Sequence, residues 1–251
     1  MKNIIIIIII FFLTSFFLPH TLEAIEKLDG DTDICADPCQ TKNRFTANIL
    51  FEKAQRKVVE EDRPGERLQA DTDSTRVLSQ IGMRITDYFV VYGKIGTANL
   101  DIISFHGYDA GFDILYGGGI SIKLFDSHKK QPLRILLSGD SVKFRTDSTV
   151  KTEVGVESEE IDWIEYTLRL GLSKEYRYLQ PYIGVIASEI KGSDLLSISG
   201  DLDFSSEDNL GLFFGSNIFI DTSKSISLNI ESYLLDEGSF SLMTGLNLHL
   251  F

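Results

Sequence analysis

Histidine limits the acid–base chemistry available to this sequence, because it occurs only four times. His106 has acidic and hydroxyl side chains close to it in the sequence: Asp101, Ser104 and Asp109. A histidine held by an aspartate can act as the general base of a hydrolase. A single histidine among polar loop residues is more commonly a solvated surface group. The sequence therefore favours a non-enzymatic protein with no catalytic residues, and a hydrolase that uses His106 is the weaker alternative.

Metal and cofactor chemistry has equally little support in the residue pattern. Cys35 and Cys39 have no histidine near them, so they make a poor zinc site. After export to an oxidising compartment they either form a local disulfide or stay reduced, and both alternatives remain open. Acidic residues cluster at 71–73, 157–160 and 201–208 without the regular oxygen spacing of a calcium loop. We expect no metal and no cofactor, although these carboxylates could hold divalent cations that bridge to lipopolysaccharide phosphates.

The N-terminus has the composition of an export signal. Lys2 supplies the positive charge, and residues 4–18 are mostly isoleucine, phenylalanine and leucine before Pro19. This apolar run is shorter than the roughly 20 residues that a lasting transmembrane helix needs. We predict a signal peptide over 1–24 with cleavage after Ala24, and a retained N-terminal anchor is the alternative.

The charge balance excludes one class of partner. The chain has a net charge of −13 and an isoelectric point of about 4.7. Binding to nucleic acid phosphates requires a basic surface, so we expect no nucleic-acid partner. An acidic balance does not exclude a membrane protein.

From residue 44 onward, apolar residues alternate with polar or small ones in runs of about ten, a period typical of β-strands. We count ten such runs, at 44–53, 74–85, 88–98, 111–125, 132–144, 161–173, 178–189, 209–220, 225–235 and 239–251. The prediction is an all-β fold, an antiparallel up-and-down transmembrane β-barrel of about ten strands over 44–251, with eight or twelve as alternatives. Residues 25–43 would form a periplasmic N-terminal segment.

The connections between the runs alternate between short turns and longer polar loops. The predicted long loops are 54–73, 99–110, 145–160 and 190–208. Bacterial outer membrane barrels have short periplasmic turns and long external loops, so this alternation predicts an outer membrane location. An exported soluble barrel or sandwich is the alternative, because its strands would also alternate.

Charged residues of both signs fall on the face that alternation assigns to the interior. They are Glu52, Arg76, Arg84, Lys94, Asp113, Lys123, Arg134, Asp140, Glu165, Arg169 and Glu231. Opposite charges in a narrow lumen reduce their desolvation cost by pairing, and a ten-stranded barrel is close to the size that side chains fill. We therefore expect a plugged lumen in a structural or loop-presenting protein, and a narrow porin for ions or small solutes is the alternative.

These features resemble the small outer membrane barrels of the OmpA/OmpX type, in the broad group of porin-family proteins. The resemblance covers 44–251 and includes the motifs at 92–96 and 181–184. It also includes a C-terminal assembly signal formed by Gly245, Leu248, Leu250 and Phe251, with Phe251 one residue beyond the usual spacing. It implies recognition by the barrel-assembly machinery and contact with outer membrane lipids and lipopolysaccharide. The long predicted loops could in addition bind an unknown external ligand.

The aromatic residues near the predicted strand ends allow two interpretations. They are Tyr88, Phe89, Phe125, Trp163, Tyr176, Tyr178, Tyr182 and Tyr233. One interpretation places them in girdles at the two membrane interfaces. The other is the ordinary preference of aromatic residues for strands.

Overall fold

A computed structural model describes residues 44–63, 66–102, 108–127, 132–152, 155–196, 200–206, 210–235 and 239–250. Its strands are β1 (Phe45–Arg63), β2 (Glu66–Thr86), β3 (Phe89–Ala98), β4 (Asp101–Ile102), β5 (Tyr108–Asp109), β6 (Asp113–Asp126), β7 (Leu133–Thr152), β8 (Gly155–Lys174), β9 (Leu179–Leu196), β10 (Gly200–Ser205), β11 (Leu210–Phe219), β12 (Ile226–Leu235) and β13 (Phe240–Leu250). Within these ranges, no helix is long and apolar enough to cross a bilayer.

Ten of these strands form a closed antiparallel barrel in the order β1, β2, β3, β6, β7, β8, β9, β11, β12, β13. The ring closes between β1 and β13, which pair from Phe45 with Leu250 to Gln55 with Phe240. The predicted ten-stranded all-β barrel is thus confirmed, and β4, β5 and β10 are short additions to it.

The two ends of the barrel differ in construction. At one end lie the connections β2–β3, β6–β7, β8–β9 and β11–β12, together with the first residue of β1 and the last of β13. We call this the turn end. At the other end, five strands continue well beyond the remaining barrel strands: β1, β2, β7, β8 and β9. We call this the extended end. In bacterial outer membrane barrels the short turns and both termini are periplasmic, so we predict that the extended end would lie outside the cell in such a protein.

The prediction of long polar loops at 54–73, 145–160 and 190–208 is wrong over most of their length, because strands continue through them. β1 and β2 stay paired as far as Arg63 with Glu66, and β7 and β8 as far as Thr152 with Gly155. The apolar outward series stops at Lys53, where lipid contact would stop, whereas backbone pairing needs only a neighbouring strand. An alternation test that searches for apolar faces therefore ends each strand too early.

The additional strands bridge the gaps that the shorter barrel strands leave at the extended end. β10 pairs with the last residues of β9, and it meets β1 at Val59 and Glu60. On the other side β4 pairs with β2, and β5 pairs with β4. At the extended end these small strands thus continue the wall beyond β3 and β6 on one side, and beyond β11, β12 and β13 on the other.

Close packing inside the barrel fixes several glycines, and Gly184 on β9 gives a direct test. A Cβ atom at Gly184 would collide with the carbonyl oxygen of Leu170 and with the ring of Phe213. We expect Gly184→Ala to lower the free energy of unfolding by about 1–3 kcal/mol, the usual cost of overpacking. Gly93→Ala is the matched control, because no atom lies within 4 Å of the Cβ position there. Urea unfolding in lipid vesicles measures both, and equal midpoints would contradict the packing argument.

Candidate functional site

Four charged side chains from three strands meet inside the barrel and form the Glu165 cluster: Glu52, Arg56, Arg76 and Glu165. Arg76 lies 2.7 Å from one carboxylate oxygen of Glu165, and Arg56 lies 3.3 Å from the other. Glu52 lies 3.5 Å from Arg76 and 4.0 Å from Arg56. The hydroxyl of Ser241 also donates to Glu52 at 2.8 Å. Two cations and two anions thus balance in a buried position.

A second set, the Asp140 cluster, consists of Lys94, Asp140, Arg169 and Glu231. Lys94 lies 3.0 Å from Asp140, and Arg169 lies 3.6 Å from Asp140 and 3.7 Å from Glu231. This cluster is also neutral. Arg169 is four residues closer to the turn end than Glu165 along β8, so the Asp140 cluster lies on the turn-end side of the Glu165 cluster.

Three tyrosines complete the polar interior. Tyr92 donates to Asp140 at 3.1 Å, Tyr233 donates to Glu231, and Tyr182 accepts a hydrogen bond from Asn229 at 2.7 Å. The girdle interpretation is therefore wrong for Tyr182 and Tyr233, which face the lumen. It is also wrong for Trp163, whose side chain is buried inside the barrel. Burial with a hydrogen-bond partner is the usual arrangement of a tyrosine hydroxyl.

Pairing reduces the cost of burying these charges. An isolated charge in a low-dielectric interior carries a desolvation cost of several kcal/mol, which a close opposite charge and further hydrogen bonds reduce. Arg76 additionally lies over the ring of Phe144, 5.5 Å from its centre. The arrangement leaves each cluster without net charge, so neither favours an ion of one sign.

On the extended-end side of the Glu165 cluster, the lumen is filled by three aromatic rings that we call the aromatic seal: Phe144, Trp163 and Phe204. Trp163 stacks on Phe144 with ring centres 5.8 Å apart and contacts Phe204 at 5.7 Å. Phe204 comes from β10, which places its ring over the lumen. The surrounding aliphatic side chains are fully buried, among them Leu100, Leu115, Ile161 and Ile190.

A cavity of about 320 Å³ surrounds the two clusters and continues towards the turn end. Both clusters line it, and towards the turn end its lining becomes uncharged and polar, with Asn48, Gln80, Ser121, Ser138 and Asn247. A chain of side-chain amides continues from Asn229 to Asn217 at 2.9 Å and from Asn217 to Gln180 at 3.3 Å. A polar cavity of this size has room for several water molecules.

The outer surface of the barrel has the opposite character. Large apolar side chains are exposed on nine of the ten barrel strands, including Ile49, Ile81, Ile95, Ile120, Leu168, Val185, Leu212, Ile230 and Leu246. Towards the extended end the same outward series changes to charged residues such as Lys53, Lys143 and Glu189. A soluble protein buries its apolar face, whereas a barrel in lipid exposes an apolar belt around a polar interior.

The chain folds as an outer membrane β-barrel. Its fold is similar to that of the translocator domain of the autotransporter NalP from Neisseria meningitidis, with 9% identity, coverage of 95% of this chain and 96% of that chain, and a TM-score of 0.46. The outer membrane protease OmpT from Escherichia coli is 10% identical, with coverage of 83% of this chain and 97% of that chain and a TM-score of 0.43. An outer membrane channel from Pseudomonas putida F1 is 9% identical, with coverage of 82% of this chain and 94% of that chain and a TM-score of 0.41. No family model and no curated protein matches the sequence. The assignment of this chain to the outer membrane barrels therefore rests on its closed sheet and on its apolar belt.

The lumenal charges chosen from the sequence occupy three places in this outer membrane barrel. Seven belong to the two clusters: Glu52, Arg76, Lys94, Asp140, Glu165, Arg169 and Glu231. Lys123 and Arg134 lie at the turn end, where both approach Asp126. Arg84 is exposed at the turn end, and Asp113 lies at the start of β6, where it accepts a hydrogen bond from the next backbone N–H.

The remaining predicted positions are partly outside the described residues. Gly245, Leu248 and Leu250 lie in β13, and a Cβ atom at Gly245 would collide with Leu50. Cys35, Cys39, His106 and Phe251 fall outside the described ranges, so the predictions made for them remain predictions.

Arg56 is the member of the Glu165 cluster that the sequence pattern did not reveal, because it lay inside a predicted external loop. The alternation of inward and outward residues along β1 could have revealed it. Glu52, Ala54 and Arg56 share one face of that strand, and all three are buried. Asp126 and Glu175 were missed because they fall where strands become turns. Arg134 binds both carboxylates there, at 3.3 Å and 2.5 Å.

Asp221 caps the β11–β12 turn and gives the barrel a pH-dependent contact outside the membrane. Hydrogen bonds from the Ser223 hydroxyl and the backbone N–H of Ile226 lower the pKa of Asp221 from 3.8 to about 2. Because the folded-state pKa is depressed, the contribution is present above pH 3.8 and is lost as the pH falls through about 2. We expect Asp221→Asn to be less stable than the parent at pH 5 and to converge with it as the pH falls below about 2. Urea midpoints across this range measure the convergence, and a constant difference would contradict it.

Proposed function

We propose that this outer membrane barrel is a non-enzymatic protein whose lumen is closed to solutes and whose extended end is presented to external partners. The supporting observation is the order of barriers along the barrel axis. From the extended end, the aromatic seal comes first, then the Glu165 cluster and then the Asp140 cluster. An ion that entered would have to break neutral pairs or pass between apolar rings. Each of these steps carries a large desolvation cost.

The extended end supports the second half of the proposal. β1, β2, β7, β8 and β9 carry a paired wall beyond the apolar belt, and its outward side chains include Lys53, Arg145 and Glu189. Arg145 is bound to Glu160 at 2.6 Å and to Asp162 at 3.0 Å, so part of this wall is ordered by ion pairs. A rigid polar platform suits recognition of an external ligand or of lipopolysaccharide.

Planar-bilayer recording of the refolded chain tests the proposal. A heat-modifiable shift on gels, which reports a closed barrel, should accompany a silent bilayer. Stable conductance steps in the unmodified protein would contradict the closed lumen.

A narrow pore is the second candidate, because the cavity of about 320 Å³ is polar and extends through both clusters. It would require the aromatic seal to open. The hydrolase alternative depends on His106, and His106→Ala in an assay of esters and peptides would test it by loss of any turnover detected in the parent.

A further inference from the structure

Several polar atoms that line the lumenal cavity have no hydrogen-bond partner in the part of the chain that the structure describes. They include the side-chain amide oxygens of Asn48 and Asn229 and the guanidinium nitrogens Nε of Arg56, Nη2 of Arg76 and Nε of Arg169. Asn229, Arg56 and Arg76 are only 8%, 5% and 3% exposed. Buried polar groups are nearly always paired, so unpaired ones around a cavity indicate that a polar molecule binds there.

A donor and an acceptor of this set lie in the same part of the cavity. Arg169 lies 3.7 Å from Glu231, and Asn229 is two residues before Glu231 on the same face of β12. Arg169 binds the carboxylates of the Asp140 cluster through Nη1 and Nη2, so its Nε–H remains to be donated. The amide nitrogen of Asn229 donates to Tyr182 and Asn217, and its oxygen remains to accept. A ligand here can therefore use both kinds of hydrogen bond.

The charges that line the cavity sum to zero, because the Glu165 cluster and the Asp140 cluster are each neutral. A charged ligand would lose its hydration without meeting an opposite net charge. Hydroxyl groups suit the site better, because each one can both donate and accept. One molecule with several hydroxyl groups also replaces several ordered waters, each of which carries an entropic cost of immobilisation. The lining thus favours a neutral molecule with several hydroxyl groups.

The volume and the closure of the cavity limit the size and the route of such a ligand. The cavity of about 320 Å³ is at the lower end of the range of ligand pockets and corresponds to about ten water molecules. The aromatic seal closes it towards the extended end, so we expect a solute to enter from the turn end. On that side β1 and β2 present two small residues that pair directly, Thr46 and Gly82.

We propose that the cavity binds a neutral polyhydroxylated molecule of monosaccharide size that enters from the turn end. Arg169 and Asn229 are its main hydrogen-bond partners, and Asn48 is a further acceptor nearer the entrance. This inference rests on the closed lumen of the proposed function, because a lumen open at both ends would let the solute pass. Binding is measured without reference to conductance, so the two can be tested separately.

Saturation-transfer NMR on the chain refolded in lipid vesicles tests the proposal with three neutral probes: glucose, myo-inositol and glycerol. We expect saturable transfer from the barrel to at least one of them. Gluconate and glucosamine resemble glucose in size but carry a charge, and they should receive little transfer. Asn48→Leu removes one acceptor and should weaken the binding about two- to tenfold, the usual contribution of one hydrogen bond.

Filling the cavity separates lumenal binding from binding elsewhere. Ser138 lines the cavity and pairs directly with Arg169, so the ring of Ser138→Phe should occupy the space beside that guanidinium and abolish the transfer. Ser141→Phe is the matched control, because Ser141 lies on the same strand but faces outward, where it pairs with Tyr166. Ser121→Phe, from the facing position on β6, takes its place should Ser138→Phe fail to refold. The heat-modifiable gel shift shows that each variant forms the barrel.

Equal transfer in the parent, Ser138→Phe and Ser141→Phe would overturn the proposal, since the probes would then bind outside the lumen. Absence of saturable transfer to all three neutral probes would also overturn it and would leave the cavity to water. Gluconate binding as tightly as glucose would contradict a neutral ligand. Conductance steps in the unmodified protein would remove the closed lumen on which the inference rests, whereas a silent barrel without transfer would refute the inference alone.

Discussion

Replacing Glu165 by glutamine lowers the free energy of unfolding of the barrel by about 3 kcal/mol, the cost of leaving buried charges without their partner. Glu165 binds both Arg76 and Arg56, and all three side chains are at most 5% exposed. Glutamine keeps the shape and loses the negative charge, so two guanidinium groups would share only Glu52. Urea unfolding of the protein in vesicles measures the loss.

The matched control is Asp162→Asn, which removes a carboxylate from the exposed Arg145 pair, where the arginine side chain is 53% exposed. Exposed pairs contribute about 0–1 kcal/mol, so this variant should change the midpoint little. Combining Glu165→Gln with Arg76→Met should recover part of the stability, because the Arg76 guanidinium that lost its partner is then absent. If Glu165→Gln were no more harmful than Asp162→Asn, the Glu165 cluster would not be a structural requirement.

Removing two rings of the aromatic seal, by Trp163→Ala with Phe204→Ala, should turn a silent barrel into one with stable conductance steps. The two rings separate the cavity from the extended end, and their loss leaves space that water can enter beside the buried charges. Each large-to-small change in a core also costs about 3–5 kcal/mol. Planar-bilayer recording measures the conductance, and the gel shift reports whether the barrel is intact.

Tyr166→Ala is the control for this prediction, because that ring lies on the same strand as Trp163 but faces outward and is 46% exposed. Phe204→Ala alone keeps the test available should the double variant fail to refold, and it should give smaller or briefer steps. A folded, fully silent double variant would show that the charged clusters close the lumen without the rings.

The number of barrel strands could be predicted from the sequence, because lipid outside and polar groups inside impose a period of two on every strand. The lumenal direction of Trp163 and Tyr233 could also be predicted from the sequence. Each lies two residues from an inward carboxylate on the same strand, Glu165 for Trp163 and Glu231 for Tyr233. Their position near strand ends suggested girdles instead. Alternation within a strand gives the more direct information about the direction of a side chain.

The strand ends and the choice of ion-pair partners could not be predicted in the same way. Beyond Phe51 the outward face of β1 becomes polar and its inward face mixes Arg56 with the buried Ala54 and Val58. The alternation that marks a strand therefore fades, although the pairing with β2 continues. The partners of Arg56 depend on the stagger between strands that are distant in sequence, such as β1 and β8. That stagger is a property of the closed barrel, and no local pattern contains it.

β10 covers part of the backbone edge that β1 exposes beyond the end of β13. β1 has 19 residues and its closing partner β13 has 11, so the outer part of β1 would otherwise present a long row of free backbone donors and acceptors. Such an open edge is a template for association with other chains. Because β10 pairs with β1 at Val59 and Glu60, it shields that edge near the point where β13 ends. This small strand thereby shortens the open backbone edge with which another chain could pair.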